Sequence, residues 1–468
     1  MFKNSLFTPR MHRVICALIG ICLLVTSLGL IAHAQGNRPI SLIRDTEIEN
    51  YLKEWALPVI KAADLDPASV NIILVQDSNV NAFVAGGQNI FLYTGLLMKS
   101  KSPEEVIGVI AHELGHIRGG HLIRGRDEME SASYEAMLGS ILGIGVAILS
   151  GQGGAAGAIA AGSQGMALNR YLSFSRIQES SADQAALGYL ERARLTPQGL
   201  ISFMQRLADE ELVPSGQQSE YVRTHPMTRD RVESLEAGAR PSKYLNTATS
   251  AKWKDQHARM LAKLTGFVTP EYVIWNYSEK DTGLYARYAR SIAAYRQNRV
   301  QEALNLTDGL LQDEPQNPYF LELKGQMLSE FGHPGEAVPY YRKAVELDPA
   351  SGLIRTAYAH NLIVTAGGTP QLETAITQLQ RAQRDEPRSA GIHRLLATAY
   401  GKIGDESMAK LHLAEEALLQ RRLPQARMNA EAAAAGLKRS SGPWLRAQDI
   451  LAQVSISEKE APEQKSRR

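Results

Sequence analysis

The chain has 468 residues, is 44% hydrophobic and 21% charged, and carries a net charge of +2. That length exceeds one ordinary core, so two or three domains are expected, and the near-balanced charge gives no hint of a nucleic-acid partner. Only two cysteines occur, Cys16 and Cys22.

The first 34 residues read as a secretory signal peptide. Lys3, Arg10 and Arg13 form a basic region, Val14 to Ile31 an apolar one, and Ala32-His33-Ala34 a small-x-small cleavage site before Gln35. A retained membrane anchor is the competing reading, because an apolar run of this length can span. Cleavage leaves 48 basic and 49 acidic residues and no cysteine. Disulfides and thiol catalysis are then excluded, and any metal must be held by histidines and carboxylates.

Residues Asp45 to Ala63 have the periodicity of an amphipathic helix, with Ile48, Leu52, Trp55, Ala56 and Val59 on one side. Asp66-Pro67 breaks it. Two β-rich runs follow, Val70 to Val75 and Asn89 to Tyr93, the second after the Gly86-Gly87 turn signal. They predict a small sheet before the next helix. Its edge strand is either a plain platform or the place where an extended substrate pairs along a cleft.

The chemistry-bearing stretch is His112-Glu113-Leu114-Gly115-His116. Ser102, Pro103 and Glu105 supply an N-cap hydroxyl, a first-turn proline and a capping-box carboxylate. Val106, Ile110, Leu114 and Ile117 form an apolar stripe, and Gly119-Gly120 weakens the helix beyond. Helical spacing sets His112 and His116 one turn apart, able to converge on one ion. Glu113 stands beside them, free to take a proton from a water. Zinc suits such a site, because three protein ligands leave one position open. His121, five residues after His116, falls well round the helix and reads as structural or exposed.

Residues 137–149 and 154–168 are rich in glycine, alanine and other apolar residues, each too short to span a bilayer. They predict a helical hairpin in the core, or else a cover or membrane-touching flap. Glu179 and Asp183 then stand one turn apart. By themselves they read as a solvated pair. Beside a zinc helix lacking a third ligand, Glu179 becomes a candidate ligand and Asp183 a group that orients a ligand histidine.

From about Tyr285 a repeat appears. Alanines recur at Ala303, Ala337, Ala375 and Ala409, with spacings of 34, 38 and 34, and Pro315, Pro349 and Pro387 follow in step. Gly332 and Gly404 sit where paired helices turn, and extra residues around 366–370 account for the 38. These are tetratricopeptide repeats. A degenerate further pair follows Leu419, and 456–468 reads as a disordered charged tail.

The zinc helix, Glu179-x-x-Ala182-Asp183, and Thr224-His225-Pro226 with Arg229 nearby resemble the HtpX-like and Oma1-like zinc metallopeptidases. Asn81-Ala82-Phe83 and Tyr93-Thr94-Gly95-Leu96-Leu97 also resemble that family, over roughly residues 45–240. The resemblance implies His112, His116 and Glu179 as ligands of one Zn²⁺ per chain and Glu113 as general base and acid. His225 is a loop histidine or a fourth, displaceable ligand. The fold expected is α+β, mostly α: a signal peptide (1–34), a gluzincin-type peptidase domain with a small sheet (35–265), an α-helical repeat solenoid (266–455) and the tail.

With repeats and leader, the chain is similar to the soluble periplasmic branch of the family. That implies an endopeptidase, and a possible chaperone, for stalled outer-membrane β-barrel proteins. The repeats would recruit substrates or the barrel-assembly machinery, with at most peripheral membrane contact. The competing expectation is an adaptor or chaperone with a latent protease centre.

Overall fold

The computed structural model describes residues 41–121, 176–209, 218–226 and 228–466, with side chains through 458. The leader and the hairpin expected within 137–168 lie outside the described residues. Helix α1 (Thr46–Ala62) begins where the Asp45 carboxylate accepts the Ile48 amide at 2.9 Å. Its predicted apolar face is buried, with Leu52, Trp55 and Val59 fully enclosed.

Four strands form the sheet: β1 (Leu42–Ile43), β2 (Asn71–Val75), β3 (Ala82–Ala85) and β4 (Asn89–Tyr93). Their order is β1-β2-β4-β3, with β2 and β4 parallel and the outer pairs antiparallel. Gly86 and Gly87, with φ of 61° and 100°, make the β3–β4 turn that side chains resist. Phe83 and Phe91 stack across that hairpin at 4.8 Å. The two sheet edges are therefore β1 and β3.

Helix α2 (Thr94–Lys99) leads into α3 (Pro103–Arg118), which is buried from Pro103 to His116. The helix start is as expected, but the capping box does not form. The Ser102 hydroxyl makes no cap bond. Glu105 bonds the Lys101 amide at 2.8 Å instead and pairs with Arg206, so a tertiary cation has drawn it off the helix end. Arg206 belongs to α5 (Gln198–Ala208), which follows α4 (Arg176–Ala193). Short α6 (Glu220–Thr224), α7 (Arg229–Ala239) and α8 (Ala251–Val268) complete this half.

Ten helices follow in five pairs: α9 (Leu284–Arg296) with α10 (Val300–Asp313), α11 (Pro318–Glu330) with α12 (Pro334–Leu347), α13 (Gly352–Val364) with α14 (Thr369–Asp385), α15 (Ala390–Lys402) with α16 (Glu406–Leu419), and α17 (Leu423–Gly436) with α18 (Gly442–Ser466). Of the expected alanines, Ala303, Ala337 and Ala375 are fully buried between helices, and Ala409 is half-buried. Gly332 and Gly404 adopt φ of 91° and 88°. Asn298 makes the equivalent turn of the first pair at 58°, so glycine does not mark it. Helix α18 runs to Ser466, through the segment expected as a disordered tail.

The two halves share structure. Met260 and Leu264 of α8 lie in the first core while Ala262 lies in the next, so the boundary expected at 265/266 falls inside a helix serving both. The repeats also fold back on α1. Tyr288 donates to Glu47 at 2.6 Å, Asn50 bonds Tyr319 and Asp348, and Arg44 pairs with Glu386 at 2.6 Å.

Candidate metal centre

His112 and His116 stand one turn apart on α3, as their spacing requires, with Nε2 atoms 3.1 Å apart. The residue between them that matters for packing is Gly115. A Cβ there would lie 2.8 Å from Ala182 backbone atoms, so the glycine lets α4 press directly against α3. That approach brings Glu179 into the site, with Oε1 3.3 Å from His116 Nε2 and Oε2 3.4 Å from His112 Nε2. Asp183, one turn further, lies 2.9 Å from His112 Nδ1, where the sequence reading put it.

His225 joins them from the end of α6. Its Nδ1 is 3.1 Å from Glu179 Oε1, and its Nε2 is 3.2 Å from the Ala82 carbonyl of edge strand β3 and 3.7 Å from Glu113 Oε1. Tyr221, one turn earlier, stacks on the imidazole at 4.4 Å and 24°. His112, His116, Glu179 and His225 each offer a ligand atom, all within 4.8 Å of one another, and all four are fully buried. A carboxylate with three imidazoles is a donor set that suits a borderline divalent cation such as zinc. Glu113 is also buried, and among the described residues neither of its oxygens has a hydrogen-bond partner. The residues fit a metal with a base beside it.

The electrostatics follow from burial and from these neighbours. Burial opposes charge on His112, yet Asp183 and Glu179 outweigh it and push its pKa up to about 10. His116 goes the other way, down to about 3, because burial dominates there. Glu179 is held well below the usual carboxylate range, against its burial, by His225, His112 and His116. Burial raises the Glu113 carboxyl, with His225 and His112 pulling against it.

Sequence reasoning missed two residues. Arg231 of α7 bonds Asp183 through Nε at 2.8 Å and Nη2 at 3.0 Å, and its Nη1 lies 2.8 Å from Glu179 Oε2. Arg229, singled out in the sequence, is exposed at the helix start. No local signal separates the two arginines; the packing of α7 on α4 does.

His121 is the second. It is buried, the structural one of its two readings, with Nδ1 2.9 Å from His116 Nδ1. Helical angles do not extend to it, because α3 stops at Arg118 and Gly120, at φ 62°, reverses the chain. The glycine pair was the readable signal.

No helix of the described residues is long and apolar enough to cross a membrane. Residues 44–239 match the family model for peptidase family M48, and residues 275–430 match a tetratricopeptide-repeat model. The beta-barrel assembly-enhancing protease of Yersinia pestis is 28% identical, over 60% of this chain and 58% of that protein. The protein of the same name from Escherichia coli (strain K12) is 25% identical over 85% of this chain and 80% of that one. Metalloprotease LoiP of the same strain is 29% identical over 36% of this chain and 62% of its own. The chain thus carries a peptidase M48 domain over residues 44–239, followed by tetratricopeptide repeats over 275–430.

Proposed function

We propose that the protein is a periplasmic zinc endopeptidase, and possible chaperone, acting on misassembled outer-membrane β-barrel proteins. The repeats recruit those substrates or the barrel-assembly machinery. The observation that carries the reading is the buried His112–His116–Glu179–His225 set with the unpartnered Glu113 carboxylate beside it. The names borne by the relatives supply the substrate class.

One zinc per chain is held by His112, His116 and Glu179. When bound it would polarise the scissile carbonyl and acidify the attacking water. Glu113 takes the water's proton and delivers it to the leaving amine. Asp183 fixes the His112 ring through Nδ1 and is itself gripped by Arg231. His225 is a fourth, displaceable ligand. A latent centre is supported by its second contact: Nε2 engages the Ala82 carbonyl on the strand edge that an extended substrate needs.

Purified protein is expected to carry about one zinc per chain. His116→Ala loses the metal, while Glu113→Gln keeps it and loses cleavage of an unfolded test protein. Proteolysis by metal-loaded Glu113→Gln at the parent rate overturns the mechanism.

A further inference from the structure

A groove of about 1000 Å³ lies at the β1–β2 end of the sheet, whereas the metal centre borders β3 at the other end. One wall is α1, the other the turn between α14 and α15 of the repeats, and the floor is the edge of β2. Leu57, Ile60, Val70, Ile72 and Pro387 give it an apolar stretch, beside the charged side chains of Arg44, Glu49, Lys53, Glu54, Glu386 and Arg388. Leu57 is 39% exposed there, a large apolar side chain left in water.

Among the described residues, the floor has unpaired backbone. Strand β1 is only two residues long and pairs with Val75 and Leu74, after which the chain leaves to cap α1 at Asp45. The next inward-facing residue of β2 is Ile72. Since the Asn71 amide bonds Gln88 on the β4 side, the alternation of a strand turns Ile72's N–H and C=O to the open edge. An apolar trough ending on free strand backbone is a template for one more strand.

We infer that this groove is a docking site for an extended polypeptide segment with alternating apolar and polar residues. The segment pairs antiparallel with β2 in line with β1. The choice of occupant rests on the backbone. A helix has used its own amides and carbonyls and offers none to Ile72, whereas an unassembled β-strand offers both at the right pitch. Continuity with the β1–β2 pairing sets the direction, and alternate side chains meet Leu57 and Pro387 while the others face water. The inference rests on the proposed substrate class, giving strand-forming substrates a second point of attachment remote from the cleavage site.

The test uses the full chain carrying Glu113→Gln, so that nothing is cut. A fluorescein-labelled decapeptide alternating valine and threonine, with lysine ends, is titrated and followed by anisotropy, beside an alanine-rich helical peptide of equal length. Saturable binding of the alternating peptide is expected, with affinity falling at least tenfold in Leu57→Glu. Ile72→Pro, which removes an amide that β4 does not use, is expected to weaken binding similarly. Leu57 is a surface residue, so its variant keeps the test informative if the proline variant does not fold. No saturable binding, equal binding of the helical peptide, or undiminished binding by Leu57→Glu overturns the docking site. Cleavage of an unfolded protein by the unaltered chain is measured alongside. Cleavage without peptide binding defeats the groove alone, and binding without cleavage supports the groove while defeating the endopeptidase reading.

Discussion

Removing the Arg231 guanidinium is the most direct test of how the site is held together. Arg231 is 6% exposed and contacts two carboxylates that are 0% and 2% exposed, plus the Pro226 carbonyl at 2.7 Å. In Arg231→Met the packing volume is nearly kept, but Asp183 and Glu179 lose their shared cation. Breaking a buried ion pair by deleting one partner costs about 3–5 kcal/mol. Total stability is on the order of 5–15 kcal/mol, so the loss is a large fraction and readily resolved. Urea unfolding of chelator-treated protein, read by tryptophan fluorescence, is the assay; Trp55 is fully buried in the peptidase core. In an Asp183→Asn background the same change is expected to cost at least about 1 kcal/mol less, since the partners are coupled. Metal affinity, measured against a chromophoric chelator, is expected to fall roughly 10–100-fold. Arg231→Lys restores neither quantity fully, because one ammonium cannot fork across two carboxylates. A stability loss under about 1 kcal/mol refutes the reasoning.

Three further outcomes are expected. His225→Ala, at matched zinc content, is expected to hydrolyse an unfolded protein faster than the parent; an equal or lower rate rules out the latch. Gly115→Ala, whose methyl would meet Ala182 backbone at 2.8 Å, separates α3 from α4 and weakens metal binding at least tenfold in chelator competition; unchanged affinity contradicts the close-approach account. His393 and His412, buried with Nδ1 atoms 3.1 Å apart, are both lowered to about 4, by burial first, with Arg446 adding to it at His393 and the charge of His393 at His412. The unfolded chain thus binds more protons between about pH 6.5 and 4, so stability falls as pH drops through that window, by up to roughly 3 kcal/mol per histidine. His393→Gln should flatten that slope in pH-dependent melting, and an unchanged slope refutes the assignment.

The sequence carried those parts of the site that obey a local period. His112 and His116 share a helix turn, as do Glu179 and Asp183, and the repeats announce themselves through Ala303, Ala337, Ala375 and Ala409. What stayed hidden is tertiary. Glu105 has the spacing of a capping box, yet Arg206, a hundred residues away, claims it. Arg231 lies two residues from the arginine that sequence reading chose, and only the packing of α7 on α4 distinguishes them. His121 is buried, as one of its two readings has it, but its place beside His116 is not legible, because helical angles end at the glycines that close the helix.

The shared helices decide whether the peptidase half stands alone. A chain ending at residue 284 loses Tyr288 from Glu47, Tyr319 from the 6.0 Å edge contact with Tyr51, and Glu386 from Arg44. Glu47 is fully buried, and without the repeats its remaining partners are Tyr51 and Lys263 of α8. Hydrogen bonds to charged groups contribute about 1.5–3 kcal/mol each, and an edge-on aromatic pair about 0.5–1.5 kcal/mol. Losses of that size lower the melting temperature of a domain of about 200 residues by on the order of 10 °C. They should also quicken hydrogen exchange along α1, whose other face packs against α3 and α4. Equal α1 protection in the truncated and full chains would mean the repeats are a detachable module. The bonds from Tyr288 and Glu386 argue instead that they brace the helix on which the metal-bearing pair rests.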